Sequence, residues 1–190
     1  IITAAMTVLA ICYTMIIPFL PIYLLELGVP KADVALWSGL VFGITFLIAG
    51  IMAPIWGKIA DNKGKKRMAL RAGFGIAVCY VLIGLVTDQY QLLMGRALVG
   101  FANGFYPAAM TMVSLSVDEK QVGRALGIFQ TGLILGNVIG PFLGGAVESV
   151  VGMRPVFYVS GIAVLIATLA VLFFVKEPKL HAVGTDGKEQ

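Results

Sequence analysis

The residues from 57 to 67, GKIADNKGKKR, place five basic side chains and one acid between long apolar runs. Gly57 and Gly64 bracket the acid Asp61, and three consecutive cations follow, Lys65, Lys66 and Arg67. Glycines permit close backbone approach and a tight turn, and cations at the edge of a bilayer are attracted to anionic lipid. An acid at such an edge needs a partner. The spacing therefore favours a specific contact for Asp61, and the alternative is an ordinary basic loop on the cytoplasmic side.

Arg96 is the only charge well inside an apolar run of the sequence. A cation at bilayer depth costs about 3 kcal/mol or more, so its presence indicates a functional site. Arg96 shares one helix face with several polar and aromatic residues, and the first and fifth apolar runs supply others. We expect these residues to line a mostly apolar cavity that suits amphipathic organic molecules; they are Tyr13, Asn103, Tyr106, Met110, Gln130 and Asn137. Taken singly, each aromatic or Met residue also fits ordinary packing.

A buried cation such as Arg96 normally pairs with an acid, but no Asp or Glu lies in the middle of an apolar run. Glu26 and Glu148 lie near the ends of the first and fifth runs. We predict that Glu26 reaches Arg96, because gaining or losing a proton there would alter the pair. The alternative is that the main proton site lies in another part of a longer protein.

The composition indicates a membrane protein. The 190 residues are 59% hydrophobic and 13% charged, whereas soluble domains carry about 25% charged residues. Cys12 and Cys79 lie in apolar runs without paired-cysteine or Cys/His spacing, so we expect neither a disulfide nor a metal site. The net charge of +4 comes from basic residues interleaved with apolar runs, which argues against a nucleic-acid binder.

Six apolar segments are long enough to cross a bilayer as helices, which takes about 20 residues each. They are Ile2–Leu25, Val34–Trp56, Met68–Val86, Tyr90–Leu115, Val122–Val147 and Val156–Val175. We predict a bundle over residues 1–176 and a polar tail, or the start of a cytoplasmic loop, over 177–190. If the 57–67 stretch is cytoplasmic, only Lys31 and Arg154 lie outside, which predicts a plasma (inner) membrane protein with both chain ends cytoplasmic.

The second and fifth segments resemble each other. IMAPIWGKIAD, residues 51–61, aligns with VIGPFLGGAVE, residues 138–148, so that Pro54 meets Pro141; after one inserted residue, Gly64 meets Gly152. The first three segments therefore look like a copy of the last three. Because each copy has an odd number of spans, the copies are inverted. The predicted fold is an all-α membrane protein of six helices in an inverted three-plus-three repeat, and chance alignment is the alternative.

The fifth segment carries glycine at every fourth position, Gly132, Gly136, Gly140 and Gly144. Such a stripe permits close approach of another helix, and Pro141 adds a bend. The stripe fits packing within one chain, and it also fits a homodimer of a stand-alone six-helix protein that forms a pore.

Three motifs resemble those of the major facilitator superfamily. Residues 57–66 resemble its motif A, G-x-x-x-D-x-x-G-[RK]-[RK]. GNVIGPFLGG resembles motif C, typical of drug–proton antiporters, on Gly136, Gly140, Pro141, Gly144 and Gly145. LLMGRALVGFANG resembles motif B through Arg96 and Gly100, although Val99 stands where glutamine is often found. The resemblance covers essentially the whole chain, as the N-terminal half of a twelve-helix fold.

This resemblance implies a carrier and no enzyme. It implies export of amphipathic small molecules, multidrug or siderophore-like, by alternating access with the proton as coupling ion and no other cofactor. The partners it implies are the lipid bilayer and a C-terminal six-helix half. In the family, the acid of motif A meets a helix N-terminus of the other half, and its cations meet an acid near the fourth helix, for which Asp118 is the candidate.

Overall fold

The computed structural model describes residues 1–175, and every element in that part of the chain is helical. Six helices are long and apolar enough to cross a membrane: α1 (Ile2–Glu26), α2 (Val34–Lys63), α3 (Lys65–Gly84), α4 (Gln89–Leu115), α5 (Glu119–Val151) and α6 (Met153–Phe174). The six predicted spans are confirmed. The proposed tail at 177–190 lies outside the described residues.

Proline and glycine interrupt two of the six helices. In α1, a 3₁₀ turn at Ile17–Phe19 contains Pro18 and separates two α-helical parts. In α4, the α-helix Gln89–Ala102 ends at Asn103, and the helix Phe105–Leu115 begins after Gly104. Gly104 has φ +143°, a conformation that favours glycine strongly. Pro18 and Pro107 occupy similar positions in the first and fourth spans, but this similarity alone does not predict the break in α4.

The aligned pair Gly64 and Gly152 forms equivalent junctions. Each is a single residue between two long helices, with φ +98° at Gly64 and +81° at Gly152. Both helices that end there, α2 and the α-helical part of α5, contain 30 residues. A side chain at either junction would be strained, which explains why glycine stands at both. The structure thus supports the predicted repeat at the residues where the alignment places it.

The helices of the two repeats exchange partners. α1 packs mainly against α5, its counterpart α4 packs against α2, and α3 packs against α6. The same alignment pairs Gly73 with Gly161, and both lie at the α3–α6 contact, Gly73 against Thr168 and Gly161 against Ala77. Each three-helix copy therefore completes the other, so neither forms a separate domain.

The glycine stripe of α5 is the seam between α1 and α5. All four of its glycines are buried. A Cβ built at Gly136 would lie 2.8 Å from the Thr7 carbonyl oxygen, and one at Gly140 would lie 2.7 Å from that of Ile11. The Thr14 hydroxyl donates a hydrogen bond across the seam to the Gly136 carbonyl, at 3.2 Å. Because α1 occupies the stripe, the stripe packs within one chain and is not free for the homodimer interface that it also fitted.

We predict that Gly136→Ala destabilises the protein and that Gly127→Ala does not. Both residues are helical positions of α5, but a Cβ at Gly136 would lie 2.7 Å from the Ala10 Cβ, whereas one at Gly127 would have no neighbour within 4 Å. Overpacking of this kind costs about 1–3 kcal/mol. Thermal unfolding of the detergent-solubilised complete protein measures the difference. Equal melting temperatures for the two variants would show that the seam is not tightly packed.

Candidate functional site

Motif A lies at the end of a helix, where the sequence analysis expected a loop. α2 continues through Gly57 and Asp61 to Lys63, and the turn is confined to Gly64. This part of the helix extends beyond the apolar span, and its charged side chains are exposed. The end of the apolar run at Trp56 therefore does not have to be the end of the helix. Asp61 forms an ion pair with Lys65 across the junction. The Asp61 side chain stays 69% exposed, which leaves its carboxylate open to a further partner.

The remaining motif A residues surround this turn. The Lys66 ammonium group donates a hydrogen bond to the Leu172 carbonyl of α6 at 2.8 Å, and Arg67 is exposed. Asp118 is exposed in the connection between α4 and α5 and forms no ion pair within residues 1–175. The structure therefore does not bring Asp118 to the cations of motif A.

The break in α4 is bound by side chains from two neighbouring helices. Trp56 of α2 donates from Nε1 to the Phe101 carbonyl at 2.9 Å, and Arg71 of α3 donates from Nη2 to the carbonyls of Ala102 and Asn103 at 3.1 and 3.3 Å. The Arg71 guanidinium stacks on the Trp56 ring, 3.6 Å from its centroid. We call Trp56 and Arg71 the clasp. The clasp gives hydrogen-bond donors to carbonyls that the helix end leaves without intrahelical partners.

A cavity of about 370 Å³, the central cavity, lies between the helices near the break. Four of the predicted lining residues line it: Tyr13, Asn103, Tyr106 and Asn137. Further aromatic lining comes from α2, α3 and α4, namely Phe46, Tyr80 and Phe105. A mostly apolar wall with two amide side chains fits an amphipathic organic molecule.

The other two predicted cavity residues have different places. Gln130 donates a hydrogen bond from Nε2 to the Tyr106 hydroxyl at 2.8 Å, so it supports a lining residue from behind. Met110 packs against the hydrophobic core and does not line the central cavity, which corrects the prediction. Met110 belongs to the helical part after the break. It is seven residues from Asn103, which places the two on one face only if the helix is unbroken.

A second cavity of about 460 Å³ lies beside motif A and is lined by Gly57, Asp61 and Lys65, among others. Asn103 and Tyr106 line this cavity as well as the central one. The break in α4 therefore separates an apolar central space from a charged space next to motif A.

Arg96 is 1% exposed, and its Nε and Nη2 atoms have no hydrogen-bond partner among the described residues. Its electrostatic neighbours are the hydroxyl groups of Tyr13 and Tyr80. A Cβ at the other motif B residue, Gly100, would collide with the Thr45 carbonyl oxygen, so this glycine lets α4 approach α2. The Thr45 hydroxyl also donates to the Arg96 carbonyl at 3.2 Å.

Glu26 does not reach Arg96. Glu26 is exposed at the end of α1, and the ion pair found within residues 1–175 joins Lys65 and Asp61. The predicted Glu26–Arg96 pair is therefore corrected. Glu26 is the last residue of α1. Arg96, by contrast, lies more than one helical turn inside α4.

Comparison with known proteins agrees with this geometry. The family model of the Major Facilitator Superfamily matches residues 2–190. The chain belongs to this superfamily. With six helices that are able to span a bilayer, it is a multi-pass membrane protein.

Curated relatives within the superfamily carry the description multidrug resistance protein MdtG. The protein from Proteus mirabilis (strain HI4320) is 43% identical over 166 residues, and that from Dickeya zeae (strain Ech586) is 40% identical over 166 residues. In both cases the match covers 87% of this chain and 41% of the relative. The chain thus spans about two fifths of the length of these relatives.

Two solved structures of transporters share the fold. The human organic anion transporter MFSD10 (TETRAN) superposes with a TM-score of 0.80 at 16% identity, over 93% of this chain and 46% of that one. A bacterial homologue of the human lysosomal transporter Spinster, in an inward-facing conformation, also gives 0.80, at 21% identity over 98% of this chain and 44% of that one. The six-helix fold predicted from the repeat is confirmed.

Sequence reasoning missed the contributions of α2 and α3 to the site. Phe46 and Tyr80 were not predicted because the cavity was assigned to the first, fourth and fifth spans. The sequence identifies Arg71 only as one of the basic residues on the cytoplasmic side, whereas in the structure its hydrogen bonds are made at the break in α4. The available signal was the break itself: Asn103, Gly104 and Pro107 together predict an interrupted helix.

We predict that Trp56→Phe destabilises the protein more than Trp37→Phe. Both tryptophans are on α2 and both contact an aromatic ring, but Trp56 also donates a hydrogen bond and carries the Arg71 guanidinium. The loss of the hydrogen bond is expected to cost about 1 kcal/mol, measured by thermal unfolding. In combination with Arg71→Gln, the effects of Trp56→Phe should be non-additive, since the two side chains touch. Additive effects would show that the clasp is not one unit.

Proposed function

We propose that this chain is the N-terminal six-helix unit of a carrier that exports amphipathic small organic molecules, multidrug or siderophore-like, in exchange for protons. The observation that carries the proposal is the central cavity, whose aromatic and amide wall belongs to the six helices described here. A second six-helix unit supplies the opposite wall. Alternating access then exposes the cavity to one side of the membrane and then to the other.

The burial of the helices supports a second unit. In the apolar stretch of each helix, 11% of the residues of α2 and 22% of those of α5 are buried, whereas 44–56% are buried in the other four helices. α2 also carries a glycine face, formed by Gly39, Gly43, Gly50 and Gly57. A Cβ built on any of these would have no neighbour within 4 Å in the described part of the chain, which contrasts with the occupied stripe of α5. Small residues on an open helix face favour close packing of another helix.

The glycine face adjoins the cavity and motif A. On a helix with 3.6 residues per turn, Phe46 lies on the same side as Gly43 and Gly50, and Asp61 lies one turn beyond Gly57. Phe46 lines the central cavity. A unit packed on this face therefore closes the cavity and also meets the exposed carboxylate of Asp61.

Asp61 acts in this proposal as a conformational latch. Its carboxylate binds the N-terminus of a helix in the second unit in one conformation, and it releases that helix in the other. Lys65, Lys66 and Arg67 hold the turn at the cytoplasmic surface of the plasma (inner) membrane, so both ends of the chain are cytoplasmic. Arg96 serves the proton relay without Glu26, and the titrating acid belongs to the second unit.

We predict that Asp61→Asn in the complete protein slows efflux of the neutral amphipathic dye Nile red at least about tenfold, with normal expression. The matched control is Asp33→Asn at the other end of α2, where the side chain is exposed and forms no capping hydrogen bond. Wild-type efflux should stop when a protonophore removes the proton gradient. Wild-type rates in the Asp61→Asn variant would contradict the latch, and efflux that survives the protonophore would contradict proton coupling.

A further inference from the structure

The guanidinium of Arg96 is a buried cation without a counter-ion in the described part of the chain. It is 1% exposed, and within residues 1–175 its Nε and Nη2 atoms have no hydrogen-bond partner and no acid forms an ion pair with it. Buried cations in folded proteins are normally paired and hydrogen-bonded, since the loss of hydration is costly. An unpaired buried guanidinium thus indicates an acceptor that binds there during function.

Arg96 does not itself line the central cavity, but it lies next to residues that do. Val99, Asn103 and Tyr106 of α4 line that cavity, and Arg96 is one helical turn before Val99 on the same face. Its two electrostatic neighbours, Tyr13 and Tyr80, are lining residues as well. A short movement of these side chains would therefore bring the guanidinium into contact with a molecule in the cavity.

The residues that line the central cavity carry no charge of their own. They are aliphatic and aromatic, with Asn103 and Asn137 as the amide members. Within residues 1–175, Arg96 is the charged side chain that acts electrostatically on Tyr13 and Tyr80 of this wall, so it favours negative charge beside them. A low-dielectric surrounding screens this interaction far less than water does. The aromatic rings also attract cations, but such an attraction is weaker than the interaction of two full charges.

We propose that the central cavity binds amphipathic anions, with the apolar body against the aromatic rings and a carboxylate or sulfonate directed toward Arg96. A guanidinium binds a carboxylate through two parallel hydrogen bonds, which would satisfy the Nε and Nη2 donors that are unpaired in the structure. The inference rests on the proposed function, since it names the substrate class of the same cavity.

The test uses the complete protein in nanodiscs and three probes that share one apolar body: 1-pyrenebutyrate, its neutral amide and the corresponding trimethylammonium cation. Equilibrium binding is measured for each probe. The wild-type protein should bind the anion at least about tenfold more tightly than the cation, as expected for a charge-assisted hydrogen bond. Arg96→Gln should weaken anion binding about tenfold and change binding of the amide less than twofold. Arg96→Lys should keep the order of the three probes.

The ranking in the wild-type protein tests the proposal even where Arg96→Gln does not fold. Tighter binding of the cation than of the anion would overturn it, and so would an equal effect of Arg96→Gln on the anion and the amide. The latter result is the one expected if an acid of the second unit neutralises Arg96. Nile red efflux by the wild-type protein distinguishes failure of the anion site from failure of the proposed function. If the wild-type protein exports Nile red but prefers the cation, only the anion site is refuted. If the wild-type protein does not export Nile red, the proposed function is refuted.

Discussion

The close approach of α1 and α5 is the contact on which the rest of the bundle depends. Gly136 and Gly140 bring two backbones together, and the Thr14 hydroxyl bonds across the seam. Within a bilayer, helices gain little from hydrophobic burial against each other, so such packing and interhelical hydrogen bonds must supply the association. Because the repeat is inverted, the equivalent contact joins α2 to α4 and leaves the outer side of α2 uncovered. One packing rule thus produces both the core and the open face.

The same environment explains where side chains bond to the backbone. A carbonyl in lipid has no water to accept from, so each helix end or break needs a donor from the protein. The clasp supplies donors at the break in α4. At the end of α3, hydroxyl groups of Tyr23 and Tyr158 donate to the carbonyls of Ile83 and Gly84, at 3.1 and 3.0 Å. Interrupted helices at membrane depth commonly contribute to transport sites, and here the break separates the two cavities.

The sequence predicts the fold better than the site. Spans and junctions follow from local signals: apolar length, and a glycine where two helices meet, as at Gly64 and Gly152. The lining of the central cavity depends on which helices become neighbours. Helices of one repeat pack against helices of the other, and the sequence does not show this pairing, so Phe46 and Tyr80 were not predicted. Met110 and Glu26 were misplaced for a related reason. Helical spacing predicts which residues share a face of one helix, but it does not predict how deep in the bundle they lie. It also fails where the helix is broken, as at Asn103–Gly104.

We infer that the glycine face of α2 is an interface inside a two-unit carrier. Electron cryo-microscopy of the complete protein in nanodiscs would show what packs on this face. We expect a helix of a second six-helix unit on Gly43 and Gly50, with its axis within about 8–10 Å of α2 and next to the central cavity. A structure in which this face of α2 contacts lipid, with no second unit beside it, would contradict this inference.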